Sequence, residues 1–235
     1  MGKRTLIFNL FTLLFLNQLN AEEFTHRNNG HEFLYGVKIS ASSAAGNPTD
    51  LFNGSLKLTD YRIDSQVGTS VTFQGGIGFD RITLMSGMGL DYSRSTIYVD
   101  FNSWEGSELS PKMGCLSVEM KDIIIPLRLG YTCIDQDPYS MSVFIGPKMR
   151  FIPAGSYEST FQSFPSENLT EDPADYLVTG SIGVGVKTGR TFFEFELEHS
   201  FNNISKSIND MNGHHSGIIV DRKLNIMTFS VGILL

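Results

Sequence analysis

Cysteine is scarce in this chain, which contains only two such residues. So few cysteines exclude a disulfide framework. Cys115 and Cys133 stand at the two ends of one predicted strand, and a rise of about 3.3 Å per residue keeps them too far apart to pair. We therefore expect both to be free thiols.

Positive charge is also limited, with 18 Lys and Arg residues against 25 Asp and Glu residues and a formal net charge of −7. This balance argues against nucleic acid as a partner, because binding to phosphates requires a basic surface. Charged residues make up only 18% of the chain, whereas there are 23 Gly and 18 Phe residues. This composition favours β-structure that exposes apolar surface over a soluble helical protein.

Long hydrophobic runs are lacking after the N-terminus, and even the N-terminal run is short for a membrane helix. Lys3 and Arg4 precede an apolar segment from Leu6 to Leu16, and Ala21 supplies a small residue at a cleavage point. This three-part layout predicts a cleavable signal peptide at residues 1–21 and an exported domain at residues 22–235.

Strict alternation of apolar residues with small or polar residues dominates the exported domain. For example, Ile82, Leu84 and Met88 alternate with Gly87 and Gly89. Such alternation predicts strands with one apolar face. Eight segments show it: 33–40, 67–78, 82–92, 122–131, 141–151, 178–187, 193–202 and 227–235.

The connections between these segments alternate in length. Short turns are predicted near residues 79–81, 134–138 and 189–190, and long polar stretches at 42–66, 94–114, 153–175 and 204–217. This rhythm is typical of an antiparallel up-and-down transmembrane β-barrel with tight periplasmic turns and long outer loops. Pro126 and Pro147 interrupt two predicted strands, and because Pro cannot donate to a ladder, we expect bulges there.

The pattern alone leaves open which face points outward, since a soluble lipocalin-like barrel would turn its apolar face inward. Three features favour the membrane barrel: a glycine-rich second face, charges of both signs on that face, and aromatic residues near strand ends. Sequestered charges must be paired, so we predict a lumenal network of Lys38, Asp91, Asp122, Arg128, Lys148, Arg150, Lys187, Glu194, Glu196 and Glu198. The aromatic residues are Tyr35, Phe79, Tyr92, Tyr131, Phe151 and Phe201.

Two neighbouring strands carry a family resemblance. The segment from Asp122 to Tyr131 (DIIIPLRLGY), a short turn, and the segment from Ser142 to Lys148 (SVFIGPK) resemble the outer membrane protein beta-barrel domain proteins of Bacteroidetes, the PorT-like group. The glycine-rich hairpin around residues 74–92 and the closing segment 228–235 fit the same family. The resemblance implies an eight-stranded outer-membrane barrel, and some relatives are linked to secretion.

Motifs for catalysis or for metal binding are weak. Glu198, His199 and Ser200 could form a nucleophilic set of an enzyme acting on lipid A, but adjacent residues of a strand point to opposite faces. His214 and His215 lack the spacing of a closed metal site. We therefore predict a non-enzymatic barrel with no cofactor or metal and with no catalytic residues.

The partners expected for such a barrel are outer-membrane lipid, the barrel assembly machinery and an envelope protein bound through the outer loops. The role of the barrel would be structural or partner-binding. An enzyme acting on lipid A and a soluble periplasmic lipid carrier remain the alternatives.

Overall fold

The computed structural model describes residues 31–44, 49–53, 56–58, 61–65, 67–100, 113–162, 169–209 and 218–235. All the regular secondary structure in these residues is β-strand. No helix in this part of the chain is long and apolar enough to cross a membrane. The predicted signal peptide at residues 1–21 and the pair His214 and His215 lie outside the described residues.

Eight long strands form a closed antiparallel ring. Each strand pairs with its sequence neighbours, and the last strand pairs with the first, as predicted for an up-and-down barrel. In chain order they are β1 (His31–Ala44), β2 (Gly68–Phe79), β3 (Ile82–Asp100), β4 (Met113–Gln136), β5 (Tyr139–Phe151), β6 (Tyr176–Thr188), β7 (Thr191–Ser200) and β8 (Asn225–Leu234).

Three two-residue turns define one end of the barrel, which we call the inner end. They are Asp80-Arg81, Asp137-Pro138 and Gly189-Arg190, close to the predicted positions. Asp80 has φ 54° and Gly189 has φ 56°, a left-handed conformation that Gly adopts freely and Asp tolerates. All the longer connections lie at the opposite, outer end.

The two faces of the strands differ in the sense predicted for a membrane barrel. Along β2, exposure alternates residue by residue, with Phe73 67% exposed and Thr72 1% exposed. Large apolar side chains cover the outside of the ring, and the charged face is buried within it. A lipocalin-like arrangement, with the apolar face inward, is therefore wrong for this chain.

Two of the strands are longer than the sequence pattern indicated. The prediction of a loop over residues 94–114 is wrong at both ends, because β3 continues to Asp100 and β4 begins at Met113; residues 101–112 lie outside the described residues. Ile97 and Leu116 face each other in this extension and are each 1% exposed. Burial of these side chains favours strand over loop despite the polar composition of the segment.

Two short strands widen this extension into what we call the outer sheet. Tyr61–Ser65 pairs with β3, and Tyr157–Gln162 pairs with β4. Other short strands form separate small sheets: Thr170–Pro173 pairs with Ser205–Asn209, and Thr49–Asn53 pairs with Leu56–Leu58 and Ile218–Arg222.

The two strand prolines do not create bulges, so that prediction is also wrong. Pro147 pairs in continuous register with Gly180. Around Pro126 some pairs are missing, but the register is the same on both sides of the gap. The hydroxyl of Ser86 donates to the Pro126 carbonyl at 3.0 Å. The register shift of this region lies instead between Thr132 and Ile134.

The two cysteines lie within β4 and are free, as expected from their separation.

Candidate functional site: the sealed lumen and the outer mouth

Oppositely charged side chains fill the middle of the lumen, because every second residue of each strand points inward. In the inner half, Lys38 Nζ donates to Glu194 Oε2 at 2.6 Å. Arg128 bridges two carboxylates: it donates to Glu194 at 2.8 Å and to Glu196. Lys148 Nζ lies 2.8 Å from Glu196 Oε1 and continues the chain of ion pairs outward.

The outer half of the network converges on Arg150, which is 2% exposed. Its Nε donates to Glu198 at 2.6 Å, and its Nη1 donates to Asp122 at 2.7 Å and to Asp91 at 3.1 Å. Lys148 also donates to Glu198, at 2.6 Å. Each carboxylate is held by at least one cation, as groups withdrawn from water require.

Nine of the ten residues assigned to the network by sequence come together in this way, and we call these nine the lumenal network. Lys187 does not join them: it is half-buried near the Gly189-Arg190 turn and forms no ion pair with the described residues. Lys187 lies at the inner end of β6 and its side chain stays partly exposed, so the ammonium group needs no buried partner. Its inclusion in the network was wrong.

Aromatic rings occupy the inner part of the lumen. Phe144 and Phe192 are both buried. A Cβ added to Gly183 would lie 2.3 Å from the Phe144 ring, and one added to Gly232 would lie 2.1 Å from the Phe192 ring. Each ring therefore fills the space that its glycine leaves empty. The Arg128 guanidinium stacks on Phe144, 4.6 Å from the ring centroid.

An apolar cluster, which we call the apolar cap, lies at the outer mouth. It was not predicted from the sequence, although Leu116, Val118 and Met120 continue the inward-facing period of β4 and could have indicated it. Leu177, in the cap, is fully buried. The cap consists of Met120, Ile152, Ala174, Leu177, Ile204, Leu224 and Ile226, and Tyr157 packs against it.

A buried triad joins three outer segments beside the cap. Arg222 Nη2 donates to Glu171 Oε1 at 3.0 Å, and Tyr157 contacts both residues through hydrogen bonds. Burial, together with the charge of Glu171, raises the pKa of Tyr157 well above its ordinary value. Burial lowers the pKa of Arg222, but Glu171 more than offsets it, so the guanidinium stays charged. The triad therefore fixes the segments that close the mouth.

The space left inside the network is very small. The cavity bounded by the lumenal network has a volume of about 10 Å³, room for about one water molecule. Phe144 and Phe192 fill the inner part of the lumen and the apolar cap lies at its outer mouth, so side chains pack the lumen on both sides of the network.

The catalytic alternative is not supported by geometry. Glu198 and Ser200 are buried in the lumen, whereas His199 points outward. Ser200 Oγ accepts the backbone N–H of Leu224 at 2.7 Å. Glu198 is held by the cations of the network, so these three side chains do not meet. Nor does any group of three or more His, Cys, Asp or Glu side chains among the described residues form a metal site.

Comparison with known proteins agrees with this architecture. The family model of the outer membrane protein beta-barrel domain matches residues 18–206. The chain belongs to this family. It is thus an outer-membrane β-barrel protein, as the resemblance implied, while the match does not distinguish a Bacteroidetes or PorT-like subgroup. No curated protein matches the chain.

Solved structures of outer-membrane proteins match the chain at low identity. The outer membrane protein OprG from Pseudomonas aeruginosa is 12% identical with a TM-score of 0.53, and the match covers 88% of this chain and 96% of OprG. The attachment invasion locus protein Ail of Yersinia pestis is 10% identical with a TM-score of 0.39, covering 87% and 99%. Neisserial surface protein A is 8% identical with a TM-score of 0.35, covering 85% and 96%.

Proposed function

We propose that this protein is a non-enzymatic outer-membrane barrel that does not conduct and that binds an envelope partner through its outer sheet. The observation that carries the proposal is the sealed lumen, with a cavity of about 10 Å³ inside a network of buried ion pairs. Eight strands leave an interior just wide enough for side chains to fill. A role in permeation therefore has no structural support, and we place the function on the exterior surfaces of the barrel.

The outer sheet is the feature best suited to a partner. It extends the barrel wall beyond the lipid-facing apolar surface as paired strands, with the apolar cap and the buried triad behind it. Paired strands restrict backbone motion and present side chains in fixed positions, which lowers the entropic cost of binding.

The remaining partners and the finer family placement are part of the same proposal. Bulk outer-membrane lipid would cover the apolar exterior, and the barrel assembly machinery would insert the chain. Membership of the PorT-like group, and with it a link to secretion, is supported by the motif in β4 and β5, the glycine-rich hairpin around residues 74–92 and the closing segment 228–235. An enzyme acting on lipid A is disfavoured because His199 and Ser200 lie on opposite faces.

Cross-linking on intact cells tests the partner-binding role. One variant replaces residues 95–117 of the β3–β4 hairpin with a two-residue turn and keeps the membrane-embedded strands. A control variant changes the inner turn residue Arg81 to Gln. We expect a specific cross-linked product with the full chain and with the control, and its loss in the shortened variant. An unchanged product in a shortened but folded barrel would contradict the proposal.

A further inference from the structure

A groove of about 840 Å³ follows the outside of the barrel just below the outer sheet. The strand register places Ala41 between Phe229 and Thr69, and places Thr69 beside Tyr92. The small side chains of Ala41 and Thr69 thus form a depression between two bulky aromatic residues. The groove is open along the outside of the barrel, so a ligand would lie against the wall and not be enclosed.

The floor of the groove is apolar. Besides Phe229, it is lined by Ile39, Val71 and Leu90, which are 45%, 45% and 68% exposed. The lining also includes Asp91 and Asp122, but their carboxylates point into the lumen, where Arg150 binds them. These two carboxylates therefore place no negative charge in the groove.

One cation stands at the upper rim. Lys121 is exposed, lines the groove and lies beside Tyr92 in the strand register. Its ammonium group forms no ion pair with the described residues. Glu119, two residues away on the same face, is 3.5 Å from Arg94. Ser156 continues the rim, and its carbonyl accepts the backbone N–H of Lys121 at 2.9 Å.

We propose that this groove binds an acylated phospholipid whose headgroup has a net negative charge, with the acyl chains on the apolar floor and the phosphate at Lys121. The apolar floor suits acyl chains. Lys121 lies at the outer edge of this apolar surface, where it can bind an anionic headgroup. A single Lys near a membrane surface contributes about 1 kcal/mol toward an anionic lipid, which is about a fivefold preference. The proposal rests on the apolar outer face of the barrel being its lipid-facing surface and is independent of the proposed protein partner.

Native mass spectrometry of the full-length protein in detergent tests this site. The protein is incubated with equal amounts of phosphatidylglycerol and phosphatidylcholine that carry identical acyl chains. We expect the native protein to retain phosphatidylglycerol about fivefold over phosphatidylcholine. K121Q should bring the ratio close to one, while R81Q, which removes an exposed cation at the inner end, should leave it unchanged.

A second pair of variants tests the floor. A41F fills the depression and should reduce the adducts of both lipids, whereas V184F, on the lipid-facing side of β6 outside the groove, should not. An unchanged lipid ratio in K121Q, or equal adduct counts in A41F and V184F, would overturn the proposal. Displacement of the lipid by millimolar inorganic phosphate would also overturn it, because it would indicate a simple anion site.

Discussion

Single side chains of this protein have roles that depend on how deep in the lumen they lie. Lys148 and Lys187 illustrate this dependence, since both lie on the inward face of a strand but at different depths. Lys148 is buried and bonded to two carboxylates, whereas Lys187 is half-buried at the inner rim without an ion pair to the described residues. The same residue type is therefore structural in one place and dispensable in the other.

Replacing each of these two lysines by Met should therefore have very different effects on stability. Lys148→Met should lower the free energy of unfolding by about 3–5 kcal/mol, because it takes one of two cations away from each of the buried carboxylates Glu196 and Glu198. Lys187→Met should change it by no more than about 0.5 kcal/mol. Urea unfolding of the protein in lipid vesicles measures both values. Equal effects would mean that the lumenal network does not stabilise the barrel.

Gly183 provides a second prediction at this scale. An added Cβ would lie 2.3 Å from Phe144 and 2.4 Å from the Phe195 carbonyl. Gly183→Val should therefore destabilise the barrel by about 1–3 kcal/mol through overpacking. Val184→Leu, on the neighbouring lipid-facing residue, serves as the control and should be nearly neutral. The temperature at which the folded form is lost on a gel compares the two variants, and similar temperatures would place Gly183 outside a packed lumen.

At the scale of elements, the alternation of faces predicts all eight barrel strands and the three tight turns. It does so because a period of two with one apolar face is specific to half-exposed strands. The outer extension could not be predicted in the same way. Ser95 and Ser117 make the segment polar, and the burial of Ile97 and Leu116 depends on pairing between distant parts of the chain.

In the candidate site, too, the features set by local alternation were predictable and those set by pairing of distant segments were not. The charges of the lumen were predictable because strand alternation places them on one face. Their exact partners, such as Arg150 with Asp91 and Asp122, depend on the stagger between strands. The triad around Arg222 joins three separate segments at the outer mouth, and no local pattern of the sequence marks it.

The triad yields a prediction for the outer elements. Arg222→Met leaves Glu171 buried without its cation and should loosen the outer mouth, while the adjacent Lys223→Met should not. When intact cells are treated with proteinase K, the outer segments of the protein should be cut several-fold faster in Arg222→Met than in Lys223→Met. Folded gel mobility should be the same in both. Equal cleavage rates would show that the triad does not hold the outer segments in place.

At the scale of the whole molecule, the lumen is a polar core enclosed by a barrel whose apolar surface faces lipid. Rings close its inner part, ion pairs fill its centre, and the apolar cap covers its outer mouth. The protein is consequently a filled barrel with a structured outer end. Its contacts with other molecules are expected at its exterior surfaces.

A filled barrel should not conduct. Purified folded protein in planar lipid bilayers should give no stable conductance steps, because a cavity of about 10 Å³ cannot hold a continuous column of water. A known open porin inserted under the same conditions provides the control. Reproducible steps of uniform size would show that the lumen opens.

The most direct test of the central claim, a closed barrel with its apolar face toward lipid, is gel mobility combined with fractionation. Protein extracted from outer membranes is run with and without boiling. We predict a compact form that changes mobility on boiling and is absent from the soluble periplasmic fraction. A protein recovered without detergent from the periplasm, with the same mobility before and after boiling, would contradict the account.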